Sequence, residues 1–189
     1  MIDIAMQIFF LLNPLTAIPI LLIAYEKKFD VKSIAMKAIT LAFATAIIFV
    51  LVGPLLFQIF NITLDAFKAA GGIMIMLLGL SMARPSEDPS KRDVTGTDAL
   101  ISLLATPILT GPATMSYLAI KTAEIGAVAL MAPIATAFVF VGAVFLGAAW
   151  MMPNINLKYI NLISRIFGLF LLALGIEMLM TGIKATLLV

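Results

Sequence analysis

The chain has 189 residues, of which 63% are hydrophobic and only 12% charged, and its net charge at neutral pH is +2. Soluble domains carry about 25% charged residues, so this composition excludes an aqueous globular fold and points to a membrane protein. Cysteine and histidine are both absent, which removes disulfide frameworks, thiolate and imidazole metal sites and the commonest general base.

Six apolar runs can be drawn, at Ile2–Tyr25, Ile39–Phe60, Asp65–Met82, Ala99–Ile120, Ile125–Met152 and Tyr159–Val189. Each approaches or exceeds the about 20 residues a helix needs to cross roughly 30 Å of hydrocarbon. The first has no basic n-region and carries Asp3, Gln7 and Asn13, so it is expected to stay in the protein as a span and not to be cleaved as a signal peptide. It is broken at mid-length by Asn13-Pro14-Leu15-Thr16-Ala17-Ile18-Pro19. Proline removes a backbone donor and clashes with the preceding turn, which frees backbone polar groups where water is scarce.

The second run carries Ala38, Ala42 and Ala46 at every fourth position, and the third carries Gly72 and Gly79 seven apart. Small residues at such spacing let helix backbones approach closely, and these stripes are read as packing faces. The polar segment Arg84–Asp98 follows, with Pro85, Pro89, Gly96 and charges of both signs. It reads as a cytoplasmic linker between a first unit, residues 1–83, and a second, residues 99–189.

The fourth run repeats the device of the first, as Thr106-Pro107-Ile108-Leu109-Thr110-Gly111-Pro112. The fifth carries Ala143 and Gly147, and the sixth carries Gly168 and Gly175. An offset of 93 places Pro107 on Pro14 and Pro112 on Pro19, and an offset of 96 places Gly168 on Gly72 and Gly175 on Gly79. Each half thus reads as three spans. An odd number of spans makes the second copy enter from the opposite face, so the expected fold is all-α, with six transmembrane helices as two inverted three-helix repeats, the first and fourth broken at Pro-x4-Pro.

Lys27, Lys28, Lys32, Lys37, Arg84, Lys91, Arg92, Lys158 and Arg165 lie in or beside the first, third and fifth loops; Lys68, Lys121 and Lys184 lie on the other side. Short-loop Lys and Arg favour the cytoplasm, which puts both termini outside a cell (plasma or inner) membrane. Trp150 and Tyr159 fall where interfacial aromatics are expected, and Lys37, Lys68 and Arg165 read as anchors near span ends. The basic residues flank spans, so they give no reason to expect a nucleic-acid partner.

Asn13-Pro14 and Thr106-Pro107 each read as a capped start of a half-helix near mid-span. Two such starts approach a common region from opposite sides, and their positive ends favour a carboxylate. Freed carbonyls, the Asn13 amide and the hydroxyls of Thr16, Thr106, Thr110 and Thr114 could hold an ammonium group or a cation. Ala17, Gly111 and Ala113 leave little bulk, which suits a small solute. Glu177 is the main ionisable residue inside a span and a candidate for coupling to H+ or Na+; its alternatives are pairing with Lys184 or reaching the outer interface. The Met74/Met76 and Met178/Met180 pairs read as adaptable packing, since no His or Cys accompanies them.

NPLTAIPILLIAY from Asn13, AGGIMIMLLGLSM from Ala70 and ATPILTGPATMS from Ala105 together resemble the MarC family of six-span membrane proteins, which includes small neutral amino acid transporters of the SnatA type. Thr16-Ala17 stands where a glycine-containing turn is expected. The resemblance covers nearly the whole chain and implies transport of glycine- or alanine-like solutes, coupled to a cation gradient. No cofactor is expected. Export of another small solute or drug, or a role in membrane assembly, is the alternative. An intramembrane enzyme is disfavoured by the lack of His, Cys and a deep acidic dyad. A channel is disfavoured because the polar residues cluster at two breaks and form no continuous stripe. Six spans make a thin bundle, consistent with a homo-oligomer.

Overall fold

A computed structural model describes residues 1–83, 97, 101, 110–155 and 157–187, and within them the fold is all-helical. In chain order the helices are α1 (Ile2–Leu12), α2 (Pro14–Glu26), α3 (Val31–Phe60), α4 (Leu64–Ala83), α5 (Pro112–Ile125), α6 (Ala127–Met151) and α7 (Leu157–Leu187), with a 3-10 turn at Met152–Asn154. The fourth-span break residues Thr106, Pro107, Ile108 and Leu109, and nearly all of the expected linker, lie outside the described residues.

Among the described residues, four helices are long and apolar enough to cross a membrane: Val31–Phe60, Leu64–Ala83, Ala127–Met151 and Lys158–Thr186. The pair Ile2–Leu12 and Ala17–Glu26, bent by 48°, makes a fifth when counted as one broken span. The expected fourth span, Ala99–Ile120, lies largely outside the described residues; its described end forms the start of α5, Pro112–Ile125.

Helix boundaries follow local chemistry. Asp30 caps α3, its carboxylate accepting from the Ser33 amide at 3.1 Å, and Asn61 ends the helix in the left-handed region at φ 51°. Thr63 accepts from the Ala66 amide at 3.2 Å, opening α4 one turn later. Gly126, at φ 84°, separates α5 from α6 in a conformation that suits glycine. The α3 stripe Ile34, Ala35, Ala38, Ala42, Ala46 and Val50 is buried, while Ile48, Leu51, Leu55 and Ile59 on its other side are exposed. That outward apolar face is what a bilayer solvates. Trp150 and Tyr159 are also exposed at helix ends.

The α4–α7 contact is the most extensive in the structure, and glycine makes it. A Cβ on Gly72 would sit 2.5 Å from the Leu179 nitrogen and 2.7 Å from the Gly175 oxygen; one on Gly79 would sit 2.5 Å from the Leu172 nitrogen and 2.6 Å from the Gly168 oxygen. As numbers rise along α4 they fall along α7, so the two helices run antiparallel with backbones in direct contact. The heptad glycines expected to be packing faces therefore face each other across this seam. Elsewhere α3 packs on α5 and α6, α1 on α5 and α6, and α2 on α7.

Candidate functional site

Asn13 is the hinge of the first span. Its backbone is left-handed (φ 46°, ψ 59°), a region asparagine tolerates better than most residues, and its N–H donates to the Phe9 oxygen. It therefore ends α1 as well as preceding Pro14, the first residue of α2. The expected side-chain cap is corrected by this geometry: Asn13 makes no side-chain cap hydrogen bond to α2. With its backbone committed to closing α1, its amide Nδ2 instead donates to the Met82 Sδ at 3.0 Å, at the end of α4. A thioether is a weak acceptor, so a carboxylate or carbonyl would hold this amide better.

Asn13, Pro14, Ala17, Thr110, Ala113 and Thr114 are all buried. Pro14 has no N–H to return to the Phe10 carbonyl. The carbonyl of the next residue, Leu11, accepts from the Thr114 hydroxyl at 3.3 Å. Thr114 lies in the first turn of α5, two residues after Pro112, so the start of the described second-half helix touches the break in the first span. Gly111 precedes α5 with φ −69° and ψ 173°, extended backbone open to any residue. The Thr16 side chain, like Thr106 and Pro107, lies outside the described residues.

A polar line continues from the break along one face of α5: Thr110, Thr114, Tyr117, Lys121 and Glu124 recur at alternating steps of four and three. Buried Tyr117 donates its hydroxyl to Gln7 Oε1 of α1, and Lys121 lies 5.8 Å from the Tyr117 ring centroid. Glu124 accepts from Lys121 at 2.8 Å and pairs with Lys68 of α4 at 2.7 Å. Glu124 lies beyond the end of the expected fourth span. Partial burial would raise its pKa, but the two lysines outweigh that and hold the carboxyl below its ordinary value of 4.5. Its pairing therefore stabilises the α4–α5 contact fully above about pH 4.5 and is lost as pH falls through the lowered value.

The sequence reading of polar groups clustered only at two breaks missed this line. Its signal is present as helical periodicity, but Lys121 follows the fourth apolar run in sequence and so reads as a loop residue. Glu177 is exposed on α7, and among the described residues no ion pair joins it to Lys184. It borders a pocket of about 210 Å³ together with Gln7, Lys68, Tyr117, Lys121 and Glu124.

Apolar helices that exceed the hydrocarbon thickness, an outward apolar face and a break whose polar groups turn inward define a multi-pass integral membrane protein. The chain belongs to the MarC family: the model of the MarC family integral membrane protein matches residues 1–187. It is similar to a UPF0056 membrane protein of Methanocaldococcus jannaschii, at 29% identity over 96% of this chain and 95% of the relative. A UPF0056 membrane protein of Aquifex aeolicus is 30% identical over 92% of this chain and 87% of its own. The Escherichia coli UPF0056 membrane protein YhcE is 30% identical over 70% of this chain and 66% of its own. No solved structure matches.

Proposed function

We propose that this protein is a secondary transporter of small neutral amino acids, working by alternating access between two inverted three-helix repeats in a cell membrane. The observation that carries the reading is the contact between the two halves at the break: the Thr114 hydroxyl on the Leu11 carbonyl, beside the left-handed Asn13. Backbone irregularity at membrane depth is tolerated where it is buried in protein or lines a cavity, and paired breaks mark the site in inverted-repeat transporters. Asn13 and the start of α2 would bind the solute carboxylate, and the hydroxyls and freed carbonyls its ammonium. Thr106 and Pro107 take the corresponding roles by sequence.

The pattern of contacts supports the inverted repeat. Exchanging α2 with α5, α3 with α6 and α4 with α7 turns the α2–α6 contact into α5–α3 and the α2–α7 contact into α5–α4; these contacts occur. The same exchange sends the Gly72–Gly175 pair onto Gly168–Gly79. Glu177 is the coupling candidate for H+ or Na+, no cofactor is required, and the protein acts without enzymatic chemistry.

Purified protein in liposomes should accumulate labelled glycine or alanine and be inhibited by the unlabelled pair. Absence of solute-specific uptake across an amino acid panel would overturn the reading. A size series refines it. Gly111→Ala introduces no backbone strain, because its backbone is extended, so the variant tests space alone. Glycine uptake should fall less than alanine uptake, and alanine less than serine or threonine, since a close-packed site registers one methyl group. A common loss for all solutes would place Gly111 in helix geometry and outside the pocket.

Orientation is tested separately. With both termini outside, Ser90→Cys in intact cells should react with a permeant thiol reagent and resist an impermeant one. Labelling by the impermeant reagent would reverse the topology.

A further inference from the structure

We infer that the pocket at the outer end of the α5 polar line is a second binding site, one that takes the solute as a zwitterion before or after it occupies the break. The inference deepens the transporter reading and rests on it. The pocket is a half-open cleft between α1, α4, α5 and α7 of about 210 Å³, below the roughly 300–1,000 Å³ of pockets that take drug-sized ligands. A small solute fits it.

Its charges are separated by element. Lys68 of α4 and Lys121 of α5 share the single carboxylate of Glu124, which leaves that side with one net positive charge. Glu177 of α7 makes no ion pair among the described residues, which leaves the other side with one negative charge. A carboxylate on the lysine side and an ammonium group at Glu177 would satisfy both, through charge-assisted hydrogen bonds. Ile120, Leu174 and Met178 supply apolar wall between them, suited to a short aliphatic side chain. Neither a simple anion nor a simple cation would neutralise both sides.

The pocket also has a defined relation to the break. Tyr117 lies between Thr114, which touches the break, and Lys121, which lines the pocket, and its hydrogen bond to Gln7 ties α5 to α1 there. An ionisable group within a membrane span is a functional candidate by default, and the ammonium group of the solute would give Glu177 a partner.

The test is equilibrium binding of labelled alanine to purified full-length protein, with competition by propionate, which lacks the ammonium group, and by alaninamide, which lacks the carboxylate. Glu177→Gln should weaken alanine binding about tenfold or more while leaving propionate competition unchanged. Lys121→Met should weaken alanine and spare alaninamide. Glu177→Asp should recover part of the loss, and because Glu177 is exposed and makes no ion pair among the described residues, all Glu177 variants should melt like the wild type. If Glu177→Gln binds alanine with wild-type affinity while Asn13→Gly does not, the outer site is overturned and the break site stands. If the wild type binds no amino acid, both readings fall.

Discussion

Replacing Gly72 by valine should largely abolish the folded protein. The new Cβ would lie 2.5 Å from the Leu179 nitrogen and 2.9 Å from its Cα, and these are backbone atoms that no rotamer change can move aside. One inserted methylene in a close-packed core costs about 1–3 kcal/mol. Valine adds three carbons at a backbone contact, so the cost approaches the 5–15 kcal/mol that holds a typical protein folded. Gly175→Val should behave alike, because its Cβ would meet the Met76 nitrogen at 2.6 Å. Once one substitution has separated α4 from α7, the second has less to break, so the double variant should be less than additively worse. Gly142 provides the control: nothing lies within 4 Å of a Cβ there, and Gly142→Ala should melt like the wild type in the same detergent. Wild-type melting of Gly72→Val would show that the α4–α7 seam does not hold the fold.

That seam was legible in the sequence because spacing alone encodes it. Glycines seven apart fall on one helix face, and in a bilayer a face without side chains has little use except close approach. The break at Asn13-Pro14 was legible for a similar reason, since a missing N–H is a local property of proline. What asparagine does there was not. Its backbone conformation depends on whether it closes the helix before it or caps the helix after it, and in the folded chain Asn13 closes α1 and turns its amide to Met82, 69 residues away. Long-range partners of this kind leave no trace in local pattern. The α5 line lay between these cases. Its four-and-three spacing was visible, but Tyr117 reads as an apolar residue until Gln7 is placed beside its hydroxyl. The two halves of the chain were separable by glycine and proline offsets, whereas the pairing of α1 with α5 required three dimensions.

The largest functional effect is expected at Asn13. Asn13→Ala should lower alanine binding by about thirty- to a hundredfold, the loss that follows removal of a buried hydrogen bond to a charged group. Alanine also carries strain in the left-handed backbone, on the order of 1–2 kcal/mol, and that part would appear as reduced stability without any role in binding. Asn13→Gly separates the two, because glycine adopts the same backbone freely and still deletes the amide. If Asn13 binds solute, both variants should lose affinity by similar factors, and only the alanine variant should melt markedly lower. The bond to Met82 Sδ is weak, and any stability that the amide supplies is lost equally in both variants. Thr106→Ala should reproduce the binding loss if the second break matches the first. Thr114→Val leaves the buried Leu11 carbonyl without the hydroxyl that reaches it, so it should lower stability about 1–3 kcal/mol and couple to Asn13→Gly in a double-mutant cycle. Should Asn13→Gly retain wild-type affinity while Asn13→Ala loses stability and binding together, Asn13 would be a bend in a packed helix, and the solute would have to be sought elsewhere in the bundle.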